Sequence, residues 1–152
     1  VKSFFALFKD YRRCAMFLFW YWIISAVGYL VYQTLVTVQT GMSLEDVLND
    51  PSVALAFVAS CVVIIMAALL RVAESENLHT LRVYAIFCTA HQLLTGNLIG
   101  FILAYVIVYY QPKPEGEDFA PTRKPLMIGG MVLIGLTLAL WLVAQFNRMI
   151  GG

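Results

Sequence analysis

Four long apolar runs, divided by short polar stretches, set the pattern of this chain. They are CAMFLFWYWIISAVGYLVYQTLV (residues 14–36), SVALAFVASCVVIIMAALL (52–70), VYAIFCTAHQLLTGNLIGFILAYVIVYY (83–110) and LMIGGMVLIGLTLALWLVAQF (126–146). None alternates with the period of two that a barrel strand requires, and each comes to the roughly 20 apolar residues that carry a helix across a bilayer. The pattern predicts an all-α, polytopic membrane protein. Its expected form is a bundle of four transmembrane helices in a single membrane domain covering residues 1–152.

The junctions carry matching punctuation. Asp50-Pro51 supplies an N-cap and an N1 proline for the second helix, and Pro125 does the same for the fourth. Ahead of Asp50, SLEDVLND has a Ser-x-x-Asp start with Leu44, Val47 and Leu48 on one side, which predicts a short surface helix. Residues 111–125, QPKPEGEDFAPTRKP, predict an extended, solvated, proline-rich loop. In residues 1–13, Phe4, Phe5, Leu7, Phe8 and Tyr11 form a greasy face beside Lys2, Lys9, Arg12 and Arg13. That combination predicts a short interfacial amphipathic helix anchored among lipid headgroups. Charges interrupt it and no small-residue cleavage site follows, so it does not read as a cleavable signal.

Composition supports a membrane protein, because only 12% of the residues are charged, about half the share of a soluble domain. Charge placement then predicts orientation. In a four-span topology Lys2, Lys9, Arg12, Arg13, Arg71, Arg82 and Arg148 share one side, against Lys113, Arg123 and Lys124 on the other. The positive-inside bias puts both termini in the cytoplasm of what is expected to be a prokaryotic inner membrane. The proline-rich loop and the acidic first loop (Glu45, Asp46, Asp50) then face outward. A net charge of +1 gives no reason to expect nucleic acid. The expected partners are the lipid bilayer, a further copy of the chain or another membrane protein, and a lipid ligand.

Candidate chemistry concentrates in CTAHQLLTGNLIG, residues 88–100. On a continuous helix Cys88, His91, Gln92 and Thr95 fall at i, i+3, i+4 and i+7 and form one polar stripe. His91 would lie ~14 Å below the membrane surface at 1.5 Å per residue, with Ser25, Ser60 and Thr137 of the other helices at a similar depth. Unpaired polar groups in hydrocarbon cost several kcal/mol, so this layer is expected to face protein or water, as a ligand site or pathway. Gly96, Gly100 and Ala104 form a second, small-residue row, with Gly129, Gly130 and Gly135 offering a matching smooth region for helix packing.

Several chemistries are disfavoured. No carboxylate falls within the apolar runs, against a proton pump or cation carrier. His79 and His91 are separated by ~18 Å along a helix, too far to clamp one haem. Cys14, Cys61 and Cys88 are scattered and odd in number, so neither a disulfide nor a zinc site is indicated, and no cofactor is expected. Cys88 and His91 are one turn apart, but no third group or oxyanion donor accompanies them, which weighs against an enzyme. Trp20, Tyr21 and Trp22, and Tyr105, Tyr109 and Tyr110, are expected as interfacial belts at opposite surfaces. The leading functional expectation is an accessory, immunity-type or assembly subunit working through helix–helix association. The alternatives are a small oligomeric channel or carrier lined by the polar stripe, and a lipid- or quinone-binding anchor subunit.

Overall fold

The computed structural model describes residues 10–41, 43–113 and 122–151. Six helices form among them: α1 (Tyr11–Thr40), α2 (Leu44–Leu48), α3 (Pro51–Ser75), α4 (Leu78–Leu94), α5 (Leu98–Tyr110) and α6 (Lys124–Gly151). Three are long and apolar enough to cross a membrane, over Tyr11–Thr40, Val53–Ser75 and Lys124–Asn147.

Local signals explain most of these boundaries. Asp10 caps α1, its carboxylate accepting from the Arg12 N–H, and Gly41 stops the helix in the left-handed region at φ 65°. Arg12 and Arg13 therefore belong to the first turn of α1 and not to a separate surface helix. The rest of that expected helix, with Lys2 and Lys9, lies outside the described residues. Ser43 and Asp46 close a reciprocal capping box on the short helix α2, as the Ser-x-x-Asp spacing predicts. Pro51 opens α3.

The third apolar run departs from expectation. It is two helices, α4 and α5, folded back on each other as an antiparallel hairpin. The Gln111 side-chain amide, just past α5, donates to the carbonyl of Leu78 at the start of α4, closing the mouth of the hairpin. The turn is Thr95-Gly96-Asn97. Gly96 has φ +73°, and its N–H bonds the Leu93 carbonyl while the Asn97 N–H bonds the Gln92 carbonyl. That pair of bonds is a Schellman stop. Asn97 then starts α5 as its N-cap, accepting from the Gly100 N–H at 3.1 Å.

One correction brings others. The packed body is α1, α3, α4 and α5, with α6 against α3 and α4. Its core is Leu18, Trp22, Met66, Leu70, Tyr84 and Ile107, all with no exposed surface. Trp22 is a core residue rather than part of an interfacial belt. The stacked Tyr105 and Tyr109 run toward the hairpin mouth, at the end of the bundle where α1 begins. The loop that follows α5 leaves from this same end, although residues 114–121 lie outside the described residues. Tyr11 and Gly151 sit at opposite ends of the packed helices.

Two contacts fix α6. Leu69 presses against Gly130, where an added Cβ would come within 2.4 Å of the leucine Cδ1. Glu76, between α3 and α4, accepts from the N–H groups of Thr122 and Arg123 ahead of α6. The Thr122 backbone hydrogen bond is the main reason its carboxyl titrates below its ordinary 4.5. A depressed carboxyl stabilises the state in which it is ionised, so this tether is present at neutral pH and is lost as pH falls through the lowered value. Glu76→Gln is expected to free the start of α6 at pH 7 and to abolish the acid transition. Protease cleavage near Thr122 as a function of pH checks this, and identical cleavage profiles in the two proteins would refute it.

Candidate functional site at the hairpin tip

The tip of the α4–α5 hairpin, with Leu93, Leu94, Gly96, Leu98 and Ile99 exposed around it, lies beside α3 and α6. The space between them is a cavity of about 260 Å³. His91, Thr95 and Asn97 form the wall given by the tip. Leu55, Val58, Ala59 and Val62 come from α3, and Thr137, Leu138 and Trp141 from α6. A second cavity of about 340 Å³ shares Leu55, Val58 and Thr137 and adds Pro51, Ala54 and Leu140. The two form one groove between α3 and α6. It is polar at the hairpin tip and apolar toward Pro51.

Local chemistry builds the tip. The Schellman stop and the Asn97 cap satisfy backbone groups that a helix break would leave bare. Tyr21 of α1 donates its hydroxyl to Asn97 Oδ1 at 2.8 Å, tying the turn to α1. Thr95 Oγ1 donates back to the carbonyls of His91 and Gln92. Behind the turn Gln92 is 1% exposed and lies over Gly100, where an added Cβ would meet its Oε1 at 2.4 Å. The Gln92 amide reaches Met66 Sδ at 3.9 Å, and Tyr84 donates to the Met66 carbonyl at 2.8 Å. These contacts hold the hairpin to α1 on one side and α3 on the other.

His91 is the buried polar residue of the tip that also lines the cavity. Its side chain is 93% buried (7% exposed), it lines the cavity, and its Nδ1 has no hydrogen-bond partner among the described residues. Phe87 flanks the ring at 6.5 Å between centroids. Trp22 Nε1, Thr80 Oγ1, Gln92 Oε1 and Gln111 Oε1 are likewise buried without a partner among the described residues, so it is the place of His91 on the cavity wall that sets it apart.

The expected polar stripe divides. His91, Thr95 and Thr137 come together at the cavity, while Cys88 and Gln92 are buried within the helices and do not line it. Ser25 donates to the Trp22 carbonyl of its own helix and Ser60 to that of Ala56, and neither lines the cavity. The small-residue row divides too. Gly96 makes the turn, Gly100 and Ala104 pack within the bundle, Gly130 receives Leu69, and Gly129 and Gly135 have no atom within 4 Å of an added Cβ. No group of three or more His, Cys, Asp or Glu able to hold a metal occurs among the described residues.

No family model, curated protein or solved structure matches the chain. Its chemistry therefore rests on the cavity itself. Sequence reasoning gave no role to Asn97 and placed Tyr21 in an interfacial belt, whereas the two together fix the tip. The signal for Asn97 was present: an asparagine directly after a glycine and three residues before another is an N-cap following a C-cap.

Proposed function

We propose that this protein is a membrane-embedded binder of a lipophilic molecule, whose polar head rests at the hairpin tip and whose chain lies along the α3–α6 groove. In this reading α1, α3 and α6 cross the bilayer and the α4–α5 hairpin re-enters from the side on which α1 begins. Non-helical backbone at membrane depth is tolerated where it is buried in protein or lines a cavity; Thr95 and Asn97 line the cavity, and the Schellman bonds with the Asn97 cap satisfy the backbone of the turn. From Arg82 to Thr95 the hairpin descends ~20 Å into a core of ~30 Å. Charge supports the orientation. Of the eight described lysines and arginines, Arg12, Arg13, Arg71, Arg82, Lys113, Arg123 and Lys124 lie toward the hairpin mouth and only Arg148 toward the far end. The positive-inside bias then puts the mouth in the cytoplasm and the end of α6 outside.

The observation that carries the reading is His91, a buried histidine lining the polar end of an otherwise apolar groove. Protein purified in mild detergent is expected to retain a lipophile that organic extraction and mass spectrometry identify. His91→Leu should lower its occupancy at least tenfold while circular dichroism stays unchanged. Equal occupancy in the two proteins, or no retained lipophile, would sink the reading.

A second reading, an accessory or assembly subunit, draws support from α6. Only 11% of its apolar window is buried, and Gly129 and Gly135 leave smooth positions on it. Small residues of this kind let a second membrane helix approach closely.

A further inference from the structure

We infer that α6 is a lever lying across α3, and that the clasp at Glu76 sets the width of the groove at its far end. On the short arm, Glu76 accepts from the N–H groups of Thr122 and Arg123, which draws the start of α6 against the corner between α3 and α4. At the fulcrum, Leu69 of α3 fills the notch at Gly130, and Met127 and Ile134, one turn to either side, have no exposed surface. The long arm is different. No described residue of α6 past Ile134 is buried, and Thr137, Leu138, Leu140 and Trp141 line the cavities that separate it from α3.

A rigid rod on a fulcrum moves its two ends in opposite senses, and α6 is one unbroken helix over Lys124–Gly151. With the clasp closed, the short arm is held inward and the long arm stands away from α3. Once the clasp is released, the short arm lifts and the long arm settles onto α3. Packing favours that closure, because an unfilled gap between helices forfeits dispersion contacts. The arms are unequal. At 1.5 Å per residue, Thr122 to Gly130 spans ~12 Å and Gly130 to Met149 ~28 Å, so ~2 Å of movement at the clasp becomes ~5 Å at the far end.

The charges around Glu76 decide what releases it. Arg123 attracts it from the α6 side. Tyr11 and Arg12 of α1, Glu74 of α3, Asn77, and Leu78 and Leu81 of α4 share with it a cavity of about 250 Å³ at the hairpin mouth. Glu74 is engaged by Arg71 of its own helix, and the two leucines carry no charge. The clasp therefore answers to the ionisation of Glu76 and to whatever competes for the backbone of Thr122 and Arg123. Mouth and groove are coupled in both directions, so an occupant that props the groove open also tightens the clasp.

A distance tests the lever. Nitroxides are placed at Asn49→Cys, ahead of α3, and Met149→Cys, near the end of α6, in a cysteine-free full chain purified in detergent. Neither position lines the groove. Double electron–electron resonance at pH 7 is expected to show the pair closer by ~5 Å in Glu76→Ala. Thr122→Pro, which removes one donor and leaves the carboxylate charged, should shorten the distance in the same way. With Glu76 in place the distance should also shorten as pH falls through the carboxylate range, and Glu76→Ala should show no such change. A distance that stays fixed in both variants and across pH would overturn the lever, and so would one that lengthens. The pH series needs no substitution at the clasp, so a variant that fails to fold does not remove the test. Closure in a protein that never retains a lipophile would keep the lever and remove the binding reading. A retained lipophile with a fixed distance would do the reverse.

Discussion

Gly100→Ala should destabilise this protein even though alanine is the better helix former. Two effects oppose each other. Replacing glycine within a helix gains about 1 kcal/mol of propensity. Against that, the new methyl would lie 2.4 Å from Gln92 Oε1 and 2.9 Å from its Cδ. Overpacking of this kind costs typically about 1–3 kcal/mol when the neighbour cannot withdraw. Gln92 is 1% exposed, with Met66 against its amide, so it has little room to move. The net expectation is a loss of about 1 kcal/mol for alanine and several times more for Gly100→Leu, which should force the hairpin apart. Removing the obstacle should restore what the methyl costs, so Gln92→Ala combined with Gly100→Ala should recover most of the loss. Unfolding in mixed micelles at increasing denaturing detergent measures all four proteins. A stabilised Gly100→Ala would mean that propensity wins and that the α4–α5 contact is looser than this geometry.

The second large effect is all or none. In a cysteine-free background, Met149→Cys should react with a membrane-impermeant maleimide added to intact cells. Lys113→Cys and Arg13→Cys should react only after permeabilisation. This follows from three crossings and a re-entrant hairpin, with the basic end inside. A four-span chain gives a different pattern, with position 113 labelled from outside and position 149 protected. The experiment therefore separates the two topologies without reference to any ligand.

The difference between those topologies was partly legible in the sequence. Residues 83–110 as one helix would measure ~42 Å, well beyond a core of ~30 Å. That excess called for a break, and Thr95-Gly96-Asn97 has both the glycine that ends a helix and the asparagine that begins one. Apolar length alone conceals it, because glycine and asparagine are equally at home in helix packing and interhelical hydrogen bonding. Elsewhere the local signals sufficed: Ser43 with Asp46, and Pro51, mark their helices where the caps place them.

The candidate site was legible in depth but not in direction. Rise per residue put His91, Thr137, Ser25 and Ser60 at similar levels, and two of these four line the cavity. Which way a side chain faces depends on the neighbours its helix acquires, and those changed once the third run folded back. Cys88 and Gln92 were projected onto the same stripe as His91, yet the hairpin turns them into its own packing. Trp141 gained its place through α6, which meets the rest of the protein chiefly along α3. Long-range pairing of that kind leaves no trace in the periodicity of a single segment.

The hairpin also bears on how such a chain is made. In the proposed orientation, the segment between α5 and α6, with Lys113 and Arg123, and the start of α6 at Lys124 never have to be translocated. The insertion machinery would carry across only the short acidic connection holding Glu45, Asp46 and Asp50, and the end of α6 with Arg148 as its single basic residue. The hairpin can enter from the cytoplasmic side once α1 and α3 are in place, its mouth tied by Gln111 to Leu78. Its biogenesis would then resemble the docking of a preassembled helical pair more than the threading of another span.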